Sequence, residues 1–159
     1  YGPVTTLTYS LRKGVHEFAL DDLGDFVLQE EYVTISEGKI YSPGALRRDY
    51  LPTHRGFIEE LEDDGYKLRY SGSFVADVHQ ILHKGGVFTY PSFTCNKNGK
   101  LRLLFEAIPM SFIISQAGGA ASDGYQDLLS IRPEAISQLI PVYIGGKREI
   151  ELIMRMNEG

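Results

Sequence analysis

The sequence predicts an α/β fold: a three-layer α/β/α sandwich built on a mixed sheet and preceded by an antiparallel β meander. Beyond residue 36, short apolar runs typical of strands alternate with longer runs of helical spacing, which is the pattern of a layered sandwich. Before residue 36, three strand-like runs follow one another with only turn residues between them, as in a meander.

The meander is expected to occupy the first part of the chain. Its strand-like runs are 4–9, 15–20 and 25–28, with turns between them. The acidic residues around Gly24 indicate a turn rather than a calcium site, because the ligand spacing of a calcium loop is missing. A change of composition near Ser36 divides the chain into 1–35, a piece of a preceding domain, and 36–159, the main domain.

Two helices are predicted early in the main domain. Residues 52–63 have apolar side chains at helical spacing, and Gly65 follows as a stop signal. Ser73 is placed to cap a second helix over 74–82, which a glycine pair ends. The two glycines therefore mark the return of the chain to strand structure.

The second half of the main domain continues the alternation. Strands are predicted at 87–90, 101–104 and 141–144, and a last helix at 147–156. The helix predicted at 105–116 is too rich in apolar residues to face solvent, so we expect it to be covered on most sides.

Composition excludes several classes of function. The chain has 159 residues, enough for one domain with a real core. Its net charge of -5 argues against a nucleic-acid-binding protein, because such proteins carry a basic face. A single cysteine, Cys95, excludes an internal disulfide and favours a reducing compartment. No apolar run is long enough to span a bilayer, so we expect no membrane partner.

The stretch after Gly99 carries the clearest chemistry. Lys100 and Arg102 are two residues apart, so on a strand both side chains project from one face and form an anion site. Glu106 follows where the strand gives way to a helix, and a carboxylate beside bound phosphate is a usual arrangement for Mg²⁺. The alternative is a half-buried strand with ordinary surface charges.

The histidines favour a structural interpretation. His79 and His83 are four residues apart and share one helix face, but no third ligand follows at a recognisable zinc spacing. The pair is therefore not expected to bind a metal.

Five motifs, in order, resemble the carboxyl-terminal half of class I fructose-1,6-bisphosphatases. They are LRYSGSFVADVH (68–79), GGVFTYP (85–91), GKLRLLFE (99–106), QAGGAASDG (116–124) and IPVYIG (140–145). The resemblance implies a Mg²⁺-dependent (or Mn²⁺-dependent) phosphatase that hydrolyses fructose 1,6-bisphosphate in gluconeogenesis or Calvin-type carbon metabolism.

The resemblance also implies roles for individual residues. Arg69 would reach across a subunit interface to the neighbour's sugar phosphate, which requires a homo-oligomer, a dimer or tetramer. Tyr70 and Tyr90 would bind the distal phosphate, and Lys100 the sugar and its phosphate. Arg102 would approach the phosphate being removed, and Glu106 would ligate the catalytic cation. Further substrate contacts are implied at Gly44, Arg47, Ser73, Phe74 and Leu101.

The chain departs from the family pattern at one motif. Gly44 and Arg47 stand where fructose bisphosphatases usually carry Asn and Tyr, and SPGALR (42–47) looks more like sedoheptulose-1,7-bisphosphatases. The runs 75–79 and 88–91 are closer to the fructose enzyme. We favour fructose 1,6-bisphosphate, with sedoheptulose or dual specificity as the alternative. A non-catalytic sugar-phosphate binding module is the alternative of another class.

The carboxylates that gather the metal ions in this family lie in its amino-terminal half, in an Asp-Pro-x-Asp-type motif. No Asp-Pro pair occurs here, so this chain lacks that metal-binding motif. We therefore do not expect the chain alone to hydrolyse substrate. We expect the natural reading frame to extend toward the amino terminus. The expected location is the cytoplasm, or the plastid stroma if the source is a photosynthetic eukaryote.

Overall fold

The computed structural model describes residues 4–158, so the outer limits of the two predicted domains, residues 1 and 159, lie outside the described residues. The chain begins with the expected antiparallel meander. Its strands are β1 (Thr6–Ser10), β2 (Val15–Leu20) and β3 (Phe26–Glu30), paired in that order. The acidic turn between β2 and β3 is closed by Asp21, whose Oδ1 accepts hydrogen bonds from the backbone of Leu23 and Asp25. This carboxylate is used within the turn, as expected.

A second, larger sheet forms the middle of the molecule. Its strands are β4 (Ile40–Pro43), β5 (Lys67–Leu68), β6 (Val87–Tyr90), β8 (Ala120–Ser122) and β10 (Val142–Gly145), in the order β5-β4-β6-β10-β8. β4 is parallel to β5 and β6, whereas β10 is antiparallel to β6 and β8. The predicted mixed sheet is therefore confirmed. Two further strands, β7 (Leu101–Arg102) and β9 (Leu139–Ile140), form a separate two-stranded ribbon among the described residues.

Four α helices cover this sheet: α1 (Pro52–Asp63), α2 (Phe74–Lys84), α3 (Ile108–Gln116) and α4 (Lys147–Glu158). α1 has the predicted bounds, because Pro52 fits the first turn and Gly65 adopts a left-handed φ of 84° just beyond the last turn. Ser73 occupies the N-cap position of α2, but its side chain makes no capping hydrogen bond. Asp77 instead accepts from the backbone N–H of Ser71 and holds the incoming chain.

The two faces of the sheet carry two separate apolar clusters. Phe88 of β6 and Ile144 of β10 pack in one cluster with α2 and α3. Val87 and Tyr143, their neighbours along the same strands, pack in the other cluster with α1 and α4. Successive residues of a strand point to opposite faces, so helices lie on both sides of the sheet. The three-layer α/β/α sandwich is confirmed.

The backbones of the central strands approach each other closely. Gly86 has a φ of 95°, and a Cβ there would overlap the carbonyl oxygen of Ile40. A Cβ on Gly145 would overlap the carbonyl of Gly86. Both positions therefore exclude any side chain, and the close fit fixes the register of β4, β6 and β10.

Several element predictions were wrong in detail. The strand predicted at 101–104 ends at Arg102, and a π-helical turn spans Leu103–Ala107 before α3. The turn is closed by a hydrogen bond from the Ile108 N–H to the Leu103 carbonyl, and Pro109 lies in the first turn of α3, where its missing N–H costs no helical hydrogen bond. The short strands β4, β5, β8 and β9 were not predicted. The last strand is Val142–Gly145 rather than 141–144, and α4 continues two residues beyond its predicted end.

α3 is less covered than expected. Only Ser111 and Ile114 of this helix are fully buried, and its other large apolar side chains are half-buried. Met110 and Ile113 line a groove of about 540 Å³ between α3, α2 and β1. β3 is exposed along its whole length. The boundary at residue 36 stays a prediction, and within residues 4–158 no helix combines the length and apolar character needed to cross a membrane.

The burial of His54 in α1 predicts that the protein loses stability at mildly acidic pH. Burial lowers the pKa of His54 from 6.5 to about 3. Between these values the unfolded chain binds a proton that the folded chain does not, so stability falls as the pH falls below 6.5. We expect the free energy of unfolding, measured by urea denaturation, to fall by about 2 kcal/mol between pH 7 and pH 5 through this residue.

One variant isolates this effect. His54→Gln removes the titrating group, so between pH 7 and pH 5 its unfolding free energy should fall by about 2 kcal/mol less than that of the wild type. An identical pH dependence in His54→Gln and the wild type would contradict the prediction.

Candidate anion-binding site

Two phenols and an ammonium group lie together beyond the end of β6. The Lys100 Nζ lies 5.8 Å from the centre of the Tyr90 ring, which faces it as a cation–π partner. Burial raises the pKa of Tyr70, with Tyr90 and Asp77 acting in the same direction and Lys100 opposing them. Tyr90 and Lys100 are therefore neighbours, and Tyr70 lies within the range of their electrostatic influence. The three side chains carry two hydroxyl donors and one positive charge that could meet an anion.

The predicted alternation around Lys100 is present. Lys100 and Arg102 are exposed, whereas Leu101 and Leu103 are buried in the apolar cluster of α2 and α3. The strand that carries them belongs to the β7–β9 ribbon and not to the central sheet. β7 has only two residues and pairs outside the central sheet, so these side chains do not project from a strand of that sheet.

Glu106 lies in the π-helical turn, one turn beyond Arg102. Its Oε2 accepts a hydrogen bond of 2.7 Å from the Arg102 backbone N–H and lies 3.6 Å from the Arg102 guanidinium. Within residues 4–158, the polar contacts of this carboxylate fall on Oε2, which leaves Oε1 for a cation. One carboxylate oxygen beside phosphate-binding groups fits a hard cation such as Mg²⁺.

Arg102 is already held in place by its neighbours. Its guanidinium pairs with Glu106 and lies 5.5 Å from the centre of the Phe105 ring. About half of its side chain is exposed, so the free edge of the guanidinium faces solvent. The arrangement orients a planar donor group beside Glu106, where a phosphate and a cation would meet.

Gly44 lies against Tyr90. A Cβ at Gly44 would overlap Cδ2 and Cε2 of the Tyr90 ring and would lie 2.8 Å from its Cγ. The Gly44 N–H donates 2.7 Å to the Thr89 carbonyl, and its own carbonyl accepts from the Tyr50 hydroxyl at 3.2 Å. Gly44 therefore supports the position of Tyr90, a role that sequence reasoning did not assign. Tyr50 was missed because a lone buried tyrosine carries no sequence signal.

Arg47 faces acidic residues of α1. Its guanidinium donates to both carboxylate oxygens of Glu62, at 3.0 and 3.2 Å, and lies 3.5 Å from Glu59. The hydrogen bond to Glu62 raises the pKa of Arg47. The pKa of Glu62 is lowered first by the hydrogen bond from the Tyr41 hydroxyl and then by Arg47, against the effect of burial. A guanidinium with two carboxylate partners has less positive charge to offer a phosphate. These contacts do not test substrate binding by Arg47, which stays a prediction.

Arg69 combines a fixed backbone with an exposed side chain. Its N–H donates 2.9 Å to the Tyr41 carbonyl, and its carbonyl accepts from the Ser42 hydroxyl. The guanidinium contacts only the backbone carbonyl of Leu68, at 2.7 Å, among the residues the structure describes. Arg69 directly follows β5, the edge strand of the central sheet.

Three other residues with predicted substrate contacts take part in the packing of the domain or in the start of a helix. Ser73 begins α2, and the Phe74 ring packs 5.0 Å from Phe88, centre to centre. The Leu101 side chain belongs to the core, so only its backbone could meet a ligand. Contacts of all three residues with substrate stay predictions.

The structure corrects the expectation that His79 and His83 lack a third partner. The Glu17 carboxylate lies 2.7 Å from the Nε2 of His79 and 3.0 Å from the Nε2 of His83. Sequence reasoning missed this cluster because Glu17 is 62 residues from His79 and lies on a different element.

Comparison with known proteins gives one consistent family. Residues 34–158 match the family described as "Fructose-1-6-bisphosphatase, C-terminal domain". The chain is 51% identical over 152 residues to the class 1 fructose-1,6-bisphosphatase of Trichlorobacter lovleyi, covering 94% of this chain and 48% of that protein. It is 47% identical over 161 residues to the Geobacter sulfurreducens protein of the same name, covering 100% of this chain and 51% of that protein.

A solved structure shares the fold. The holo form of Leishmania major fructose-1,6-bisphosphatase matches with a TM-score of 0.94 and 34% identity, covering 100% of this chain and 52% of that one. The T-state structure of the same protein matches equally well, at 35% identity. The chain thus spans about half the length of the relatives it matches.

The contact between Gly44 and Tyr90 predicts a coupled pair of substitutions. Gly44→Ala should lower the free energy of unfolding by about 1–3 kcal/mol, because the new methyl group displaces the Tyr90 ring. In a Tyr90→Ala background the obstructing ring is gone, so the same substitution should cost much less. Urea denaturation of the four proteins measures this difference. Equal costs in both backgrounds would contradict the proposed contact.

Proposed function

Because the chain belongs to the class I fructose-1,6-bisphosphatase family, we propose that it is the carboxyl-terminal part of a Mg²⁺-dependent sugar bisphosphatase. The reaction is hydrolysis of fructose 1,6-bisphosphate to fructose 6-phosphate and phosphate, in gluconeogenesis or Calvin-type metabolism. The observation that carries the proposal is the grouping of Tyr70, Tyr90 and Lys100 in a chain whose residues 34–158 match the family.

Binding of the substrate's distal phosphate is assigned to the two phenols and their neighbours. Tyr70 and Tyr90 donate hydrogen bonds without adding charge, and Lys100 offsets the negative charge of the phosphate. Arg69 adds a planar donor pair from its exposed edge strand to the phosphate of a neighbouring subunit. In this proposal the protein is a homo-oligomer, a dimer or tetramer, because the contact needs a second chain.

The reacting phosphate lies near Arg102 and Glu106 in this proposal. Arg102 neutralises charge that develops on the phosphate oxygens, and its position is fixed in advance by Glu106 and Phe105. Glu106 would hold a divalent cation, Mg²⁺ or Mn²⁺, through Oε1. A bound cation supplies polarisation of the phosphate and activation of water.

The remaining metal carboxylates are assigned to the half of the relatives that this sequence does not cover. We infer that this chain alone orients substrate but does not turn it over. The proposed location is the cytoplasm, or the plastid stroma for a photosynthetic eukaryote.

Two alternative functions remain open to test. The Ser-Pro-Gly-x-Leu-Arg motif that contains Gly44 and Arg47 favours sedoheptulose 1,7-bisphosphate as a second substrate. The second alternative is a non-catalytic sugar-phosphate binding module. Such a module would have the phosphate-binding groups of this chain and lack the remaining metal-binding carboxylates, which this sequence does not contain.

Phosphate release tests the proposal directly. The assay compares fructose 1,6-bisphosphate with sedoheptulose 1,7-bisphosphate, in the presence of Mg²⁺, for the longest protein that contains this sequence and for the 159-residue chain. Activity confined to the longer protein supports the proposal, and the ratio of the two rates gives the preferred substrate. No activity in either protein would favour the binding module.

Glu106→Gln should weaken the metal site in the longer protein. A neutral amide is a poorer ligand for a hard cation than a carboxylate. The Mg²⁺ concentration that gives half-maximal rate should therefore rise by at least about tenfold over that of the wild type. Glutamine keeps the size of the side chain, so the melting temperature should change little. Glu151→Gln, at an exposed glutamate of α4, is the matched control. An unchanged rate at limiting Mg²⁺ would remove Glu106 from the metal site.

Arg69→Ala should weaken substrate binding without affecting folding. Loss of a charged hydrogen bond to phosphate should raise KM by about 10–100-fold, while the melting temperature stays near that of the wild type. Arg48→Ala is the control, because this arginine has an 81% exposed side chain and contacts only its neighbour Asp49 among the described residues. A fall in melting temperature with no change in KM would identify Arg69 as a structural residue.

A further inference from the structure

We propose that Glu17, His79 and His83 form a binding site for Zn²⁺ or a similar divalent transition metal. Glu17 lies on β2 of the meander, and the two histidines lie one turn apart on α2. Their three ligand atoms all lie within 4.8 Å of one another. The site uses none of the residues assigned to substrate or to Mg²⁺, so it does not depend on the proposed function.

The ligand types select the class of metal. Two imidazole nitrogens and one carboxylate oxygen form a set that zinc uses, with a fourth position left for water. Mg²⁺ and Ca²⁺ prefer oxygen ligands, so two histidines disfavour both ions. A helix presents histidines at this spacing on one face, and their rings lie 4.7 Å apart, centre to centre.

The distances are close to those of a metal complex. Zinc bonds of about 2.1 Å in a tetrahedron place two ligand atoms about 3.4 Å apart. The Glu17 Oε2 lies 2.7 Å from His79 Nε2 and 3.0 Å from His83 Nε2, the spacing of hydrogen bonds. A metal would replace the shared protons after side-chain movements of about half an ångström.

The surroundings suit a carboxylate ligand. The Glu17 side chain is 13% exposed, and Thr8 Oγ1 donates to its Oε2 at 3.2 Å, which fixes its orientation. Burial alone would raise the pKa of Glu17, but the hydrogen bonds from His83 and His79 outweigh it and lower the pKa below its ordinary value. The groove of about 540 Å³ reaches this cluster at Thr8 and His79, so an aqueous cation has a route to it.

A metal bound here would join two parts of the chain. Among the elements the structure describes, the meander contributes Val15 to the main core, whereas β3 is exposed. A bond from β2 through the metal to α2 links residues 62 positions apart in sequence. The expected consequence is a structural clamp between the meander and the sandwich, which stabilises the folded chain in proportion to metal occupancy.

Zinc titration of the 159-residue chain tests the proposal. All proteins carry Cys95→Ser, because Cys95 is exposed and its thiol would bind Zn²⁺. Calorimetry should show one Zn²⁺ per chain, which excess Mg²⁺ does not displace. A Zn²⁺ concentration a hundredfold above Kd should raise the melting temperature by about 5–10 °C.

Matched variants locate the site. Glu17→Gln and His83→Gln should each weaken zinc binding by at least about tenfold, because each removes one of three ligands. His16→Gln changes the residue next to Glu17 in sequence and should bind zinc as the parent does. Circular dichroism of each variant checks that it is folded before the affinities are compared.

A measurement on the parent protein keeps the test independent of variant folding. Nuclear magnetic resonance of the histidine side chains should show zinc-dependent shifts at the Nε2 atoms of His79 and His83, but not at His16. Saturable binding together with these shifts supports the site. Absence of binding, binding that the folded variants retain in full, or shifts confined to other histidines would each overturn the proposal.

Discussion

Burial of both faces of β6 and β10 is the constraint on which the rest of the structure depends. Val87, Phe88 and Thr89 are all at most 1% exposed, so every residue of β6 before its last must fit between helices. Apolar side chains on alternate faces hold one helix pair on each side of the sheet. Tyr90 is the first residue of β6 that escapes full burial, and Lys100 lies over its ring.

The four cations predicted to contact substrate have two kinds of neighbour. Arg47 and Arg102 contact carboxylates, which fix their positions but reduce the charge available to a ligand. Arg69 and Lys100 contact uncharged groups, a backbone carbonyl and an aromatic ring. A doubly charged phosphate would therefore interact most strongly with the second pair. This difference comes from tertiary neighbours, and the residue types alone do not indicate it.

Sequence patterns predicted the elements whose signals are local. α1 has a proline at its start and a glycine past its end, and β6 is a short run of β-branched and aromatic residues after a glycine pair, so both have the predicted bounds. β5 has two residues and exists only because Lys67 and Leu68 pair with β4, a contact that no local pattern contains. Strand spacing indicated Lys100, Arg102 and Glu106, and the family resemblance added Tyr70 and Tyr90 to the predicted anion site. The cluster of Glu17 with two histidines depends on packing of β2 against α2, so neither spacing nor resemblance indicated it.

The close approach of backbones at Gly86 and Gly145 limits how this domain can be altered by directed evolution. A library that randomises the codons for these glycines would consist largely of unfolded members, since each new side chain overlaps a neighbouring carbonyl. Codons for Gly65 and Gly72 can be varied at lower cost, because a Cβ at either position meets no atom within 4 Å and only the backbone preference is lost. Exposed positions outside the sheet, such as Leu46 and Arg48, can be varied without disturbing this packing.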